Sequence, residues 1–386
     1  MASIHSIVIL VSFYVAQVWA QFNINAKVNN VVYWGQGPDQ QRLLYYCQQP
    51  DIDAIALSFV NLFPAQANGF PGTNFGNQCS GAVYAGPGYN GVVDPTKDAL
   101  QSDCPLIASD IAACQRTYGK KILLALGGDS GEYQLDGATD GVKFANELWG
   151  LFGPRNKIWV KAGLPRPFDV AGDATGSAVD GFTMDIENVP DDGSAGYIAF
   201  ANQLRTLYPA SPQTGLLLTA APQCTVPDAS LGQVIASVAF DALFIQFYNT
   251  AACSARAWVN ANPNFVSGTH TFPSGGFTYD TWSTAIAGGA SAAAKLYIGL
   301  PGSTDAVDDP TFYLNQNETA NIVDAYFCNR NFGGVAIYDA TYADENLYLG
   351  QTFTQWTKGV LNNALADPSV RRCSGTPAGE STPGMV

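Results

Sequence analysis

Asp180-Gly181-Phe182-Thr183-Met184-Asp185-Ile186-Glu187 ends in two carboxyl groups two residues apart, Asp185 and Glu187, in a largely apolar run. Strand side chains alternate with a period of two, so Thr183, Asp185 and Glu187 share one face. A charge directed into a packed interior is costly unless it does something. Two acids so close couple through desolvation and mutual repulsion, as catalytic carboxyls do. Taken alone, the stretch also reads as an acidic strand end that is solvated or holds an ion. Other chemistries find less support. The two histidines are His5 and His270, and His5 falls in an apolar leader. That argues against Ser-His-Asp or Cys-His catalysis and against multi-histidine metal sites. No metal and no cofactor are expected. Gly86-Pro87-Gly88-Tyr89-Asn90-Gly91 matches GxGxxG but follows no strand and opens no helix, so it predicts no dinucleotide site.

Such residues need a scaffold. Short, almost continuously apolar runs recur at 31–35, 54–60, 121–126, 181–187, 216–221, 242–248, 296–300 and 333–339, each stopped by Gly, Pro, Asn or Asp. Runs of this kind suit strands buried on both faces, as in parallel sheets. Helical periodicity lies between many of them. It appears at Phe144, Leu148, Leu151 and Phe152, at Tyr197, Phe200, Ala201 and Leu204, and at Phe353, Trp356 and Val360. Eight strands with intervening helices predict an α/β fold, a single (β/α)8 TIM barrel with long βα loops. The 386 residues, 47% hydrophobic and 13% charged, supply an ample core. A Gly/Pro/Asn-rich excursion at 61–103 follows the second run and is expected to contribute to the binding site.

Residues 7–16 are apolar, and Val18-Trp19-Ala20 ends in a small-residue cleavage pattern, although His5 is the only basic residue ahead of it. The expected organisation is a signal peptide over 1–20, the barrel over 21–373 and a Ser/Thr/Pro/Gly-rich tail over 374–386. Secretion fits the eight cysteines, an even number without a CxxC pair, which read as four disulfides whose pairing counting alone leaves open. Asn317-Glu318-Thr319 is a glycosylation sequon and requires an exposed Asn317. A formal charge of −14 disfavours nucleic acid and anionic membranes. The leader is too short to span a bilayer, and no other run is long enough.

The segment ending in Glu187 resembles the DGxDxDxE signature of glycoside hydrolase family 18. Further pieces are similar to the class III chitinase branch of that family. They are Val32-Tyr33-Trp34-Gly35-Gln36, Leu57-Ser58-Phe59-Val60-Asn61, Leu126-Gly127-Gly128, Leu218-Thr219-Ala220-Ala221-Pro222-Gln223-Cys224, Ile245-Gln246-Phe247-Tyr248-Asn249, Gly299-Leu300-Pro301 and Gly333-Gly334-Val335. They fall in the family's order over about residues 30–345. The resemblance implies substrate-assisted, retaining hydrolysis of β-1,4-linked N-acetylglucosamine, unlike the usual two-carboxylate scheme. By that match Glu187 is the acid, Asp185 orients the N-acetyl group, and Tyr248 hydrogen-bonds its carbonyl oxygen. Tyr33, Phe59, Gln246, Tyr338, Thr183, Gly127 and Gly128 belong to the substrate-binding set. The resemblance also implies the disulfides Cys47–Cys114, Cys79–Cys104 and Cys224–Cys253, which leaves Cys328 with Cys373.

Two positions depart from the family pattern. Thr183 stands where the first aspartate of DxDxE is expected, and Tyr338 where a tryptophan forms the floor under the reacting sugar. A threonine donates one hydrogen bond but shares no proton, so Asp185 is expected to stay ionised and to keep Glu187 protonated by repulsion. The leading expectation is a secreted, monomeric, chitinase-like protein. It binds chitin and chito-oligosaccharides, hydrolyses them little, and could sequester fragments. The alternatives are an active class III endochitinase and a barrel reused as an inhibitor or storage protein.

Overall fold

The computed structural model describes residues 22–129, 133–170 and 176–372. The expected signal peptide, the tail and Cys373 lie outside the described residues. The strands of the barrel are β1 (Asn29–Trp34), β2 (Ala54–Leu62), β3 (Lys121–Gly127), β4 (Gly181–Asp185), β5 (Leu217–Ala220), β6 (Ala242–Gln246), β7 (Lys295–Pro301) and β8 (Phe332–Tyr338). Each pairs in parallel with its neighbours in sequence, and β1 pairs with both β2 and β8, which closes the sheet. The fold is the (β/α)8 barrel expected from the apolar runs.

Alternation along the strands sorts the core into two layers. Val32, Trp34, Ile55, Leu57, Ile122 and Leu124 pack outward beneath the helices. Val31, Ala54, Ala56, Leu123, Ala125, Phe244 and Tyr297 fill the lumen. Both faces are therefore dry, which explains why the strands read as continuous apolar runs. The helices Gly137–Phe152 and Ala195–Leu207 bury the Phe144/Leu148/Leu151/Phe152 and Tyr197/Phe200/Ala201/Leu204 faces. In Phe353–Ala366 the residues Phe353 and Val360 are buried, and the half-buried Trp356 packs edge-on against Tyr348.

Residues 61–103 carry a two-residue strand, Gly72–Thr73, antiparallel to β2, too short to leave a periodic signal in the sequence. The disulfide Cys79–Cys104 closes this excursion. Cys47–Cys114 ties the helix Leu43–Cys47 to Ile107–Arg116. Cys224–Cys253 joins the loops that follow β5 and β6. These are three of the pairings that the resemblance implies. Asn317 is exposed near the start of the helix Gln316–Tyr326. Among the described residues no helix is long and apolar enough to cross a membrane.

Candidate active site

The strands' C-terminal ends converge on a cleft of about 400 Å³. Its lining includes Phe59, Asp185, Glu187, Gln246, Tyr248 and Tyr338 at or just past the strand ends, with Gln36, Asp129, Gln223, Asp305 and Asp308 from the connecting segments and Tyr342 from the helix Ala340–Glu345. No residue of 61–103 is among the lining residues, contrary to the expectation for that excursion. It flanks the mouth instead, where Asn74 exchanges backbone hydrogen bonds with Phe59 and accepts one from the Gln36 side chain at 3.1 Å.

Asp185 is the last residue of β4, and Glu187 lies just beyond it. Glu187 leaves the sheet because its backbone N–H donates to the Tyr133 hydroxyl at 2.9 Å. That hydroxyl in turn donates to the Gly128 carbonyl at 2.9 Å. The two glycines keep this corner tight. A Cβ on Gly127, at φ +106°, would stand 2.2 Å from the Asp185 carbonyl oxygen. One on Gly128, at φ +86°, would meet the Phe59 ring at 3.2 Å. Gly127 and Gly128 thus support the site through their backbone and are not among the cleft-lining residues.

Gln246, at the end of β6, links the two acids. Its Nε2 donates to Asp185 Oδ1 at 2.9 Å and to Glu187 Oε1 at 3.1 Å. Burial is the largest influence on both carboxyls. It pushes Asp185 well above the usual carboxylate range, Glu187 adds to the effect by repulsion, and the Gln246 bond opposes it. Glu187 is raised by burial against the same Gln246 bond, with further repulsion from Asp129, Asp228 and Asp308. These influences run against the expectation that Asp185 stays ionised. Removing a charged neighbour at position 183 does not offset the cost of charging a carboxyl that is 3% exposed.

Thr183 lies below the cleft floor with no exposed surface. Its register places it between Ala125 and Thr219, and its Oγ1 is 2.7 Å from Thr219 Oγ1. Among the described residues no hydrogen bond joins Thr183 to Asp185. Tyr33 is also beneath the lining, 5% exposed, with its ring 6.4 Å from Phe59 and 6.0 Å from Tyr338. Its hydroxyl has no hydrogen-bond partner, although the Asp185, Glu187, Tyr248 and Tyr338 side chains all act on it electrostatically. The structure thus gathers every expected site residue at one barrel end, with Thr183, Tyr33, Gly127 and Gly128 behind the cleft surface. Tyr133, Thr219, Asp129, Asp305 and Asp308 were not among the expected residues. The motif around Thr219 marked its strand, but nothing local distinguishes the other four. Among the described residues no group of three His, Cys, Asp or Glu side chains could hold a metal ion.

The profile of the glycosyl hydrolases family 18 matches residues 29–326. Endochitinase A of Aspergillus niger is 40% identical over 352 residues, covering 90% of this chain and 26% of the relative. Endochitinase A1 of Aspergillus fumigatus is 39% identical over 369 residues, covering 94% of this chain and 38% of the relative. A probable endochitinase of Arthroderma benhamiae is 39% identical, with 95% and 47% covered. This chain thus spans between a quarter and a half of the length of these relatives. Among solved structures, the ICChI chitinase of Ipomoea carnea superposes with a TM-score of 0.63 at 24% identity, over 86% of this chain and 99% of that one. The xylanase and alpha-amylase inhibitor protein XAIP-II of Scadoxus multiflorus gives 0.60 at 25% identity, over 88% and 98%.

Proposed function

The chain belongs to glycosyl hydrolase family 18, and on that premise we propose that it binds β-1,4-linked N-acetylglucosamine chains in the cleft and cleaves them slowly. In this reading Glu187 gives its proton to the glycosidic oxygen as the C1–O bond breaks. The carbonyl oxygen of the sugar's own N-acetyl group forms the new bond to C1. Asp185, as a carboxylate, accepts a hydrogen bond from the amide N–H and balances the charge of the oxazolinium ion, which keeps that proton, and Tyr248 donates to the attacking carbonyl. Water then opens the ring, and Glu187 takes back a proton. Tyr33, Phe59, Gln246 and Tyr338 surround the reacting sugar. The raised proton affinity of Glu187 supports the role of acid.

The bond between the Thr183 and Thr219 hydroxyls carries the proposal of slow turnover. The step needs Asp185 to gain negative character as the oxazolinium forms. A carboxyl at position 183 would share and take up its proton, whereas a threonine already bonded to Thr219 does neither. Losing one tuned group of this kind costs about 2–4 kcal/mol of barrier, or about 10²–10³ in rate. The second reading, a full-rate endochitinase, is favoured by the intact Asp185–Gln246–Glu187 bridge and by relatives named endochitinases. Secretion, as an extracellular protein that sequesters chitin fragments, accords with the disulfides and the exposed Asn317. Calorimetric titration with chitotetraose and chitopentaose, with products followed by chromatography, tests the assignment. Binding with turnover about 10²-fold or more below an ordinary family member is expected. Turnover within about tenfold of such an enzyme would establish the second reading. Neither binding nor products would mean that the barrel serves another purpose.

A further inference from the structure

A second groove lies on the outer face of the helix layer and shares no residue with the catalytic cleft. The helix Gly137–Phe152 contributes Lys143, Glu147 and Trp149, and the short helix Lys157–Lys161 contributes Trp159. The groove holds about 830 Å³, against about 400 Å³ for the cleft. The excursion 61–103, which does not line the cleft, supplies Phe70 and Pro87 here. Pro154, Arg155 and Pro212 continue the surface into an adjoining hollow of about 580 Å³, where Arg116 and Lys157 join. Both tryptophans are fixed but only half-buried. Trp159 lies on Gly150, where an added Cβ would stand 2.3 Å from the ring, and its Nε1 donates to the Pro165 carbonyl at 2.8 Å. Trp149 rests against Tyr208, with ring centroids 5.7 Å apart. On a chain of formal charge −14 this surface is basic. Arg116, Lys143 and Lys157 are exposed and form no ion pair among the described residues, while Arg155 pairs with Asp169. Among the described residues the one acid lining either hollow is Glu147. Its Oε1 is buried without a hydrogen-bond partner, and burial keeps it protonated to about pH 8, so at neutral pH it brings a donor and no charge.

Rigid indoles already held on one side lose little freedom when a sugar ring lies on them. A neutral chito-oligosaccharide would use those rings but leave the unpaired cations idle. An acidic peptide would use the cations but offers no pyranose face to the indoles. A sugar chain that carries negative charge uses both, and no ionised carboxyl in the lining repels it. We propose that this groove binds an acidic polysaccharide, with sugar rings on Trp149 and Trp159 and carboxylate or sulfate groups toward Lys143, Arg155 and Lys157. The cleft stays free, so the barrel can rest on an anionic matrix while the cleft is engaged elsewhere. The inference goes beyond the reading of the cleft and does not depend on it.

The test is calorimetric titration of the full chain, carrying Glu187→Gln to stop turnover, in near-neutral buffer of low ionic strength. The ligands are hexagalacturonate, a sulfated oligosaccharide of similar length, and polyglutamate of equal charge. At least one acidic sugar should bind about tenfold tighter than polyglutamate, and about 1 M salt should remove most of its affinity. The tighter of the two sugars tells whether the anion is a carboxylate or a sulfate. Lys143→Gln and Lys157→Gln together should weaken that sugar about tenfold with an unchanged melting temperature, since both side chains are exposed. Trp159→Phe should weaken it about threefold. Added chitopentaose should not displace it. Failure of both sugars to bind, equal binding of polyglutamate, or an affinity unchanged by the two glutamines would each overturn the inference. Displacement by chitopentaose would overturn it too, by placing the acidic chain in the cleft. None of these results bears on whether the cleft binds chitopentaose, which the same calorimetry reads separately.

Discussion

Thr183→Asp restores the carboxyl that the family pattern places on β4. Positions 183 and 185 share the inward face and are about 6.6 Å apart along the strand at its usual rise. Two carboxyl side chains leaning toward each other close that gap to hydrogen-bond length. An O–H···O⁻ bond between acids contributes about 1.5–3 kcal/mol. If it forms fully only as Asp185 gives up its proton, the barrier falls by that amount and kcat rises about 10- to 150-fold. The Thr219 hydroxyl, now 2.7 Å from Thr183 Oγ1, would still have an acceptor. The affinity for a chito-oligomer should change little, because position 183 has no exposed surface. The assay is kcat on chitotetraose alongside the dissociation constant in a Glu187→Gln background. Thr183→Val serves as control. It leaves the Thr219 hydroxyl unpaired, which costs about 1–3 kcal/mol of stability, and should leave kcat where it was. A folded Thr183→Asp protein with unchanged affinity and no gain in kcat would refute the account of the threonine.

Further perturbations follow from the same geometry. Tyr338→Trp enlarges the aromatic floor and should tighten oligomer binding about threefold to tenfold, measured as the dissociation constant; weaker binding would place the sugar elsewhere. Gly127→Ala forces a Cβ to 2.2 Å from the Asp185 carbonyl at a left-handed φ, and should cost about 3 kcal/mol or more and abolish binding. A protein with wild-type melting temperature and affinity would contradict the role of that corner. Away from the cleft, burial raises Glu147 from 4.5 to about 8, and its Oε1 has no hydrogen-bond partner. The folded state holds this proton more tightly than the unfolded chain does. The stabilisation is therefore complete below about pH 4.5 and is lost as pH rises through about 8. Glu147→Gln should remove that slope and leave the variant about 2–4 kcal/mol more stable than the parent above pH 8, read from denaturant melts at several pH values. Parallel pH profiles would show that Glu147 is free to titrate in water.

The barrel was legible because a parallel sheet buried on both faces must write its strands as apolar runs, and all eight runs carry strands. Two of them overshoot their strands by two residues at their functional ends. The run 181–187 stops as a strand at Asp185, because the Glu187 N–H turns to Tyr133 instead of continuing the ladder. The run 242–248 stops at Gln246, whose side chain reaches across to the acids. Within the site, Asp185 and Glu187 were legible from local spacing, and Gln246 and Tyr248 from a motif. Tyr133 was not, since its role depends on a loop folding back over the end of β3. The electrostatic weight of Asp129, Asp305 and Asp308 was hidden for the same reason, as these residues meet only when the barrel closes.

Closure also explains how a threonine is tolerated at position 183. The site is among the driest in the lumen, bordered by Ala125 and Thr219. A second acid there would have to share a proton with Asp185 or bring another charge out of water. The Thr183–Thr219 pair satisfies two hydroxyls without charge, so the barrel floor is electrically quieter than the family pattern makes it. Turnover and stability should therefore move in opposite directions at this position. Thr183→Asp should lower the melting temperature as it raises kcat, with the loss growing as pH rises and the shared proton leaves. A variant that gained both rate and stability would mean that the new carboxyl is not buried beside Asp185.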